Sequence, residues 1–291
     1  MSVIRGRSIP DHRSPVRRPA AAGSHRPVLR IATYNIHGCV GVDRRYEPER
    51  IAAVLREIDA DVTCLQEVGT RRATAPHEDQ ATYLAEATGR RLILGGGPRG
   101  RRGRFANAIL TRFPVVSARA IDLAVWVYEP RAALDVELMI GGRTLRVVAT
   151  HFGLHAGERR WQADRLIAAL REPSAAGRKA ADAVLLVGDL NEWRGRSGGI
   201  RALDRCLGPS AAPRTFPSWM PVLPLDRIYA DGPAVLRDVH VYRSPQARLA
   251  SDHLPLIGSL WWTEHAADRR APPLFPYGNP AGAGLGAIAT G

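Results

Sequence analysis

The stretch from Ala183 to Asn191 reads Ala-Val-Leu-Leu-Val-Gly-Asp-Leu-Asn, so an apolar run leads directly into a carboxylate and an amide. The run is too short for a typical helix and too continuous for a half-exposed strand, which favours a buried strand. Asp189 and Asn191 are two residues apart, so in extended backbone their side chains leave the strand on the same face. A charge at the end of a buried strand is costly unless a metal, a partner or a substrate compensates it. The pair therefore marks a candidate functional site.

Further β-prone segments also end in polar residues that packing alone does not explain. They lie at 32–37, 64–67, 148–151 and 250–253, and residues 225–228 place an acid beside an apolar strand start. If these ends meet on one rim, an oxygen-rich set results, which suits a hard cation such as Mg²⁺ or Mn²⁺. Zinc is disfavoured, because the chain has no Cys cluster and we expect the glycines at 153 and 157 to break any helix that would pair His151 with His155.

Seven short motifs occur in this chain in the order that they have in one known family. They are TYNIHG at 33–38, LQE at 65–67, NAILTRFP at 107–114, THF at 150–152, GDLN at 188–191, LDRI at 225–228 and SDHLPL at 251–256. On these motifs the chain resembles the endonuclease/exonuclease/phosphatase superfamily, the group of deoxyribonuclease I, exonuclease III, sphingomyelinases and inositol-polyphosphate 5-phosphatases. The resemblance covers residues 29–261, and it implies an α/β four-layer sandwich in which two mixed β-sheets pack face to face between helices. It also implies an ester-bond hydrolase that cleaves a phosphodiester with Mg²⁺ or Mn²⁺.

The resemblance implies a role for each matched position. Glu67 resembles the principal metal ligand, with Asn35 beside it and Asp252 as a further metal contact. Asp189 and Asn191 resemble the pair that orients the attacking water and the phosphate oxygens. One residue departs from a branch of the family, since His37 stands where the apurinic endonucleases carry an acid, and this weakens the case for a second tightly bound metal.

The remaining matched positions concern the reacting phosphate. His253 resembles the histidine at that phosphate and, oriented by Asp226, is expected to prepare water together with Asp189. His151 resembles a second histidine that faces the phosphate. Asn107 is expected to support the site and Arg131 to meet a phosphate.

The composition changes at both ends of a central region in which strand-like and helix-like runs alternate. Residues 1–27 are rich in Pro, Arg, Ser and Ala, and residues 264–291 in Pro, Gly and Ala, so we expect two disordered segments around one catalytic domain at 28–263. Many β-prone runs with only about four helical ones indicate two packed sheets covered by helices. The last strand is expected to run from His253 to Trp261.

The positive charge of the chain favours an anionic partner. The formal net charge is +13, of which residues 1–30, with seven arginines and one acid, supply +6 and the rest +7. Nucleic acid is the first expectation, a phospholipid headgroup the alternative, and a small phosphomonoester such as an inositol phosphate the third. The segment 215–221, with Phe216, Trp219 and Met220, suits stacking on a base, contact with an acyl chain, or packing within its own loop.

Other features bound the location and the class of the protein. No apolar run approaches the ~18 residues of a membrane span, and residues 1–30 lack the apolar stretch of a secretory signal. Cys39, Cys64 and Cys206 are scattered and odd in number, which favours a reducing compartment, and we expect a cytoplasmic monomer. A non-enzymatic binding module is disfavoured, because the expected metal ligands, base and orienting acid are all present.

Overall fold

The structure is a computed structural model that describes residues 28–69, 79–95, 105–172, 181–194 and 197–263. Within these ranges eleven strands form two sheets. The strands of the first sheet are β1 (Val28–Asn35), β2 (Val62–Gly69), β3 (Arg91–Leu94), β4 (Phe105–Thr111), β10 (Ala234–Val241) and β11 (Leu256–Trp262). They are arranged in the order β10-β11-β1-β2-β4-β3, and β1 and β2 are parallel while the other neighbours are antiparallel.

The second sheet follows the chain more simply. Its strands are β5 (Val115–Asp122), β6 (Ala132–Ile140), β7 (Arg143–His151), β8 (Ala183–Asp189) and β9 (Asp226–Asp231), in that order across the sheet. The pair β7 and β8 is parallel, and the other neighbours are antiparallel. Because the carboxyl ends of parallel neighbours meet at one edge, the ends of β7 and β8 reach the same rim.

Five helices lie on the outer faces of the two sheets among the described residues. They are α1 (Pro48–Ile58), α2 (Gln80–Thr88), α3 (Ala156–Arg171), α4 (Gly198–Leu207) and α5 (Pro245–Ala250), and a 3₁₀ turn covers His37–Cys39. One apolar cluster fills the space between the sheets, with Ile31 and Cys64 on one side and Val147 and Leu185 on the other. Separate clusters join α1, α2 and α5 to the first sheet, and α3 and α4 to the second. The predicted four-layer sandwich of two mixed sheets and outer helices is confirmed.

A few local predictions were wrong. The last strand begins at Leu256 rather than His253, because Pro255 lacks the N–H that a ladder needs, and His253 is left in a loop. Gly157 lies inside α3, but the expectation that no helix pairs His151 with His155 is confirmed, because His151 ends β7 and α3 begins only at Ala156. The helix α5 was not anticipated; it has six residues, and its signals are the Ser244 cap and the proline at its first position.

The other bulk predictions have mixed outcomes. The predictions of disorder for 1–27 and 264–291 lie outside the described residues, and the extent of the catalytic domain stays a prediction. Cys39, Cys64 and Cys206 are free thiols. In the part of the chain that the structure describes, no helix is long and apolar enough to cross a membrane.

Candidate active site

The polar strand ends do meet on one rim. In the second sheet His151, Asp189 and Asp226 are direct neighbours across three adjacent strands, His151 beside Asp189 and Asp189 beside Asp226. In the first sheet Asn35 pairs with Gln66, which places it next to Glu67. The two sheets are joined at this rim by a hydrogen bond of 3.1 Å from Asn35 Nδ2 to Asp189 Oδ2. The packing of one sheet on the other therefore assembles the site.

Gly188 allows the two parallel strands β7 and β8 to approach each other at the rim. A Cβ atom at this position would lie 1.9 Å from the carbonyl oxygen of Thr150, and the φ angle of Gly188 is +152°. No side chain fits in that space, so the motif requires glycine one residue before Asp189. The close approach sets Asp189 and His151 side by side.

Glu67 leaves its strand at an irregularity. The pairing of β2 with β4 shifts register between Leu65 and Val68, and Glu67 has a φ angle of +56°. Bulges of this kind often redirect a side chain next to an active site, and a left-handed conformation at a glutamate is strained. The carboxylate accepts a hydrogen bond of 2.9 Å from Asn35 Nδ2. Burial raises the pKa of Glu67, and the nearby charges of Asp252 and Asp189 raise it further against the Asn35 bond.

Asp189 and Asn191 both reach the site, although not in the way that we predicted. β8 ends at Asp189, and Asn191 has a φ angle of +50°, so the backbone between them is not extended. The turn is held by a hydrogen bond of 2.8 Å from the Asn191 backbone N–H to Asp189 Oδ1. Asparagine tolerates this left-handed conformation better than most residues. The Asn191 amide then donates to the Phe152 carbonyl at 2.8 Å.

His253 is surrounded by carboxylates. Its Nδ1 lies 2.9 Å from Asp226 Oδ2, and its Nε2 lies 3.6 Å from Asp189 Oδ2. Burial by itself lowers the pKa of His253, but the charges of Asp226 and Asp189 outweigh it and raise the pKa to about 10. The ring is therefore held as the imidazolium, with a proton at Nε2 that faces the centre of the site.

His151 also lies near carboxylates, with its Nε2 3.6 Å from Asp189 Oδ2 and 3.9 Å from Glu67 Oε1, but its direct polar neighbours differ. Arg131 Nη1 lies 3.0 Å from its Nδ1, and Asn191 Nδ2 lies 3.0 Å from its Nε2, so each ring nitrogen meets a group that donates. A neutral ring can accept from one of these groups, whereas a doubly protonated ring would set N–H against N–H on both sides. Burial is the main cause that lowers the pKa of His151, and the Arg131 charge adds to it against Asp189, so that the value falls to about 3. The site thus holds one charged and one neutral histidine.

The donor set fits a hard divalent cation. Asp189, Asp226 and His253 offer atoms within 4.8 Å of one another, but Asp226 and His253 are already bonded to each other, so this trio is suited to moving protons. Glu67 and Asp252 remain: the charge of Asp252 contributes to the raised pKa of Glu67, and His37 Nδ1 lies 3.8 Å from Asp252 Oδ1. Oxygen-rich, mutually repelling carboxylates at a rim are what Mg²⁺ and Mn²⁺ bind.

The structure also locates the three other predicted residues. Asn35 turns its amide N–H group to the carboxylates, because its Oδ1 accepts from the His37 backbone N–H at 3.1 Å. Asn107 donates to the Ala132 carbonyl at 2.7 Å and so supports the strand next to Arg131. Arg131 contacts His151 and pairs with Glu129 at 2.9 Å, and its link to a phosphate stays a prediction.

Sequence reasoning missed two residues that hold the site together. The Thr215 hydroxyl donates to Asp226 Oδ2 at 2.5 Å, and the adjacent Phe216 ring lies 4.9 Å from the His253 ring. The Ser251 hydroxyl donates to the Asn35 carbonyl at 2.8 Å. Ser251 lies within the SDHLPL motif and Thr215 begins the segment 215–221, but neither residue was given a role in the site.

Comparison with known proteins agrees with this geometry. Residues 32–253 match the model of the endonuclease/exonuclease/phosphatase family, a range that begins in β1 and ends at His253. The chain belongs to this family. Its predicted membership is confirmed, and with it the coarse chemistry of the family, which is hydrolysis of phosphoester bonds.

Individual relatives add the fold and its extent. The uncharacterized protein YbhP of Escherichia coli is 28% identical over 251 residues, which cover 80% of this chain and 96% of that protein. A family structure from Beutenbergia cavernae superposes with a TM-score of 0.63 at 24% identity, covering 82% of this chain and 72% of the other. The mannosyl-6-phosphatase of Bacteroides thetaiotaomicron superposes with a TM-score of 0.64 at 19% identity, covering 80% and 100%. At these identities the solved structures show a shared fold.

Proposed function

We propose that this protein is a divalent-metal-dependent phosphodiesterase whose reaction centre is the rim between the two sheets. The observation that carries the proposal is the contrast between the two histidines, because Asp226 bonds to Nδ1 of His253, whereas Arg131 and Asn191 flank the two nitrogens of the buried His151. Two groups of the same type whose surroundings separate their protonation states are typical of acid–base catalysis. A site of purely structural residues has no need of this contrast.

The proposed reaction is the attack of water on phosphorus, with cleavage of one ester P–O bond. Asp189, fully buried and directed at the centre of the site, accepts a proton from the attacking water. His253 carries a proton on Nε2 and stabilises the phosphate charge or the leaving oxygen, while Asp226 keeps the ring oriented and charged. This role as a proton donor differs from the preparation of water that we first expected of His253, because the ring faces carboxylates on both sides.

The remaining residues position these groups. Glu67 and Asp252 would hold Mg²⁺ or Mn²⁺, which when bound neutralises phosphate charge and polarises the P–O bonds. Asn35, which was predicted as a metal contact, donates its amide N–H to Glu67 and so would support that ligand instead. Asn35 links Glu67 to Asp189 through one amide, so the metal ligand and the base share a support. Asn191 fixes the neutral His151 from the other side.

The identity of the phosphoester is a separate question. Nucleic acid remains a prediction that depends on positive charge, and part of that charge lies outside the described residues. The alternative, a phospholipid headgroup, is supported by large apolar side chains that are exposed on loops beside the site, among them Trp126.

The proposed chemistry is tested with bis-p-nitrophenyl phosphate, a small diester that makes no demand on the substrate-selecting loops. We expect turnover with Mg²⁺ or Mn²⁺, its loss with EDTA, and a decrease of about 10²-fold or more in His253→Ala. Val115→Ser, at the far end of the second sheet, is the matched control and should turn over like the wild type. Turnover that survives EDTA or His253→Ala would refute the proposal.

A further inference from the structure

Large apolar side chains are exposed on loops beside the site. The most exposed is Trp126, with 92% of its surface free, and Val127 follows with 73%. We define the apolar rim as Trp126, Val127, Leu154, Trp193, Trp219 and Met220, which are between 46% and 92% exposed. Scattered exposed apolar residues are ordinary, but a group of them on loops around one site marks an interaction surface.

Trp126, Val127 and Leu154 are carried by two segments that are anchored at the site. The loop between β5 and β6 carries Trp126 and Val127 and is closed by a hydrogen bond of 3.0 Å from the Leu123 N–H to the Arg131 carbonyl. Arg131 contacts His151, so this loop begins and ends at the site. Leu154 lies three residues after His151, and the ring of Tyr128 stacks on that of His155 at 4.3 Å, which ties the two segments together.

Trp219 and Met220 border the site at His253. Ser218, which precedes them, donates its backbone N–H to the Asp252 carbonyl at 2.7 Å. Arg248 Nη1 donates to the Trp219 carbonyl at 3.3 Å and so holds the backbone of the segment that carries Trp219 and Met220. Trp193, two residues after Asn191, is supported by the Arg159 guanidinium 5.1 Å from its ring. The side chains of the rim are exposed, while the backbone that carries them is held to the site.

The composition of the rim suits a lipid surface better than nucleic acid. Val127, Leu154 and Met220 have no ring to stack on a base, and no member of the rim is basic. Within the loop from Leu123 to Arg131 the charged residues are Glu129 and Arg131, which pair with each other at 2.9 Å, so the stretch that carries Trp126 and Val127 has no basic residue of its own. Tryptophan beside aliphatic residues is typical of segments that lie at the interface of a bilayer.

We propose that the apolar rim docks this protein on a phospholipid bilayer, so that the headgroup phosphodiester of a lipid reaches the site. The rim inserts between headgroups, and the net charge of +13 favours an anionic bilayer. The docking rests on the exposed side chains and the positive charge, whereas the choice of a lipid as substrate rests on the proposed function as well.

The docking is tested by sedimentation of the full chain with vesicles of phosphatidylcholine and phosphatidylglycerol at a ratio of 3:1, in EDTA so that no turnover occurs. We expect the wild type to sediment with the vesicles and the double variant Trp126→Ser/Val127→Ser to lose at least tenfold in partition coefficient. Val115→Ser is the matched control, since Val115 is 40% exposed but lies opposite Leu138 at the far end of β6. It should stay within twofold of the wild type, and thermal melting verifies that all three proteins are folded.

Three results would overturn the docking proposal. One is a wild type that stays in the supernatant, and another is an equal loss in Val115→Ser and the double variant. The third is a double variant that binds vesicles normally but loses affinity for a single-stranded DNA oligonucleotide, which would make the apolar rim a nucleic-acid surface.

Failure of the proposed function has a different signature, namely vesicle binding by the wild type without turnover of bis-p-nitrophenyl phosphate. Release of phosphorylated headgroup from the vesicles on addition of Mn²⁺ would support the assignment of a lipid substrate. If the protein binds the vesicles and cleaves the small diester but releases no headgroup, that assignment is overturned.

Discussion

Replacing Asp226 by Asn should remove the charge that keeps His253 protonated. Asp226 Oδ2 accepts from His253 Nδ1 at 2.9 Å and from Thr215 at 2.5 Å, and an amide oxygen preserves both acceptor positions. Without the carboxylate charge, the burial of the ring dominates, so we expect the pKa of His253 to fall well below the wild-type value of about 10.

The sign and size of the effect follow from linkage. A histidine whose pKa is raised on folding stabilises the protein fully below the pKa of the unfolded chain, near 6.5, and this stabilisation is lost as pH rises toward the folded value of about 10. Within that window one bound proton changes the free energy of unfolding by about 1.4 kcal/mol per pH unit. The whole window amounts to a loss on the order of 5 kcal/mol for the wild type.

Urea unfolding between pH 6 and pH 10, in EDTA, measures the difference directly. We expect the free energy of unfolding of the wild type to fall with pH more steeply than that of Asp226→Asn, by about 1 kcal/mol per pH unit. Subtraction of the two curves removes the titration of groups that both proteins share. Parallel curves would refute the assignment of a charged His253, whatever the activity of the variant.

Two further predictions concern neighbouring residues. Arg131→Met should raise the pKa of His151 above its wild-type value of about 3 and lower turnover by roughly 10-fold or more. The acidic limb of the pH–rate profile should therefore move to higher pH, and an unchanged profile would contradict the role of Arg131. Gly188→Ala should destabilise the protein by about 3 kcal/mol or more, because its Cβ meets the Thr150 carbonyl. Gly157→Ala, in open space on α3, should stabilise the protein by about 0.5–1 kcal/mol. Thermal melting compares the two variants, and equal melting temperatures would contradict the close approach of β7 and β8 at Gly188.

The sequence allowed the layers of the fold to be predicted because their signals are local. Apolar alternation located the strands, and the run ending at Asp189 was recognised as a buried strand because it is continuous. The short helix α5 escaped notice, since six residues are too few for a helical period. The start of β11 was misplaced because apolar residues on both sides of Pro255 hide the break.

The residues of the site were predictable as a set, but their geometry was not. Motifs point to Glu67 and Asn191, yet the bulge at one and the left-handed turn at the other arise from contacts with other strands and turns. The surroundings of the two histidines depend on Arg131 and Asp226, which come from distant parts of the chain. Residue types alone cannot show which of the two rings is charged.

We propose that Glu67 belongs to a metal site on which phosphodiester hydrolysis depends. Its most direct test is the rate of bis-p-nitrophenyl phosphate turnover as Mn²⁺ is added back to the chelated wild type and to Glu67→Gln. We predict no turnover without metal, recovery in the wild type, and at least a tenfold higher Mn²⁺ concentration for half-recovery in Glu67→Gln, because an amide of the same shape keeps the Asn35 contact but loses the charge. Turnover without metal, or the same Mn²⁺ dependence in both proteins, would contradict a metal site at Glu67.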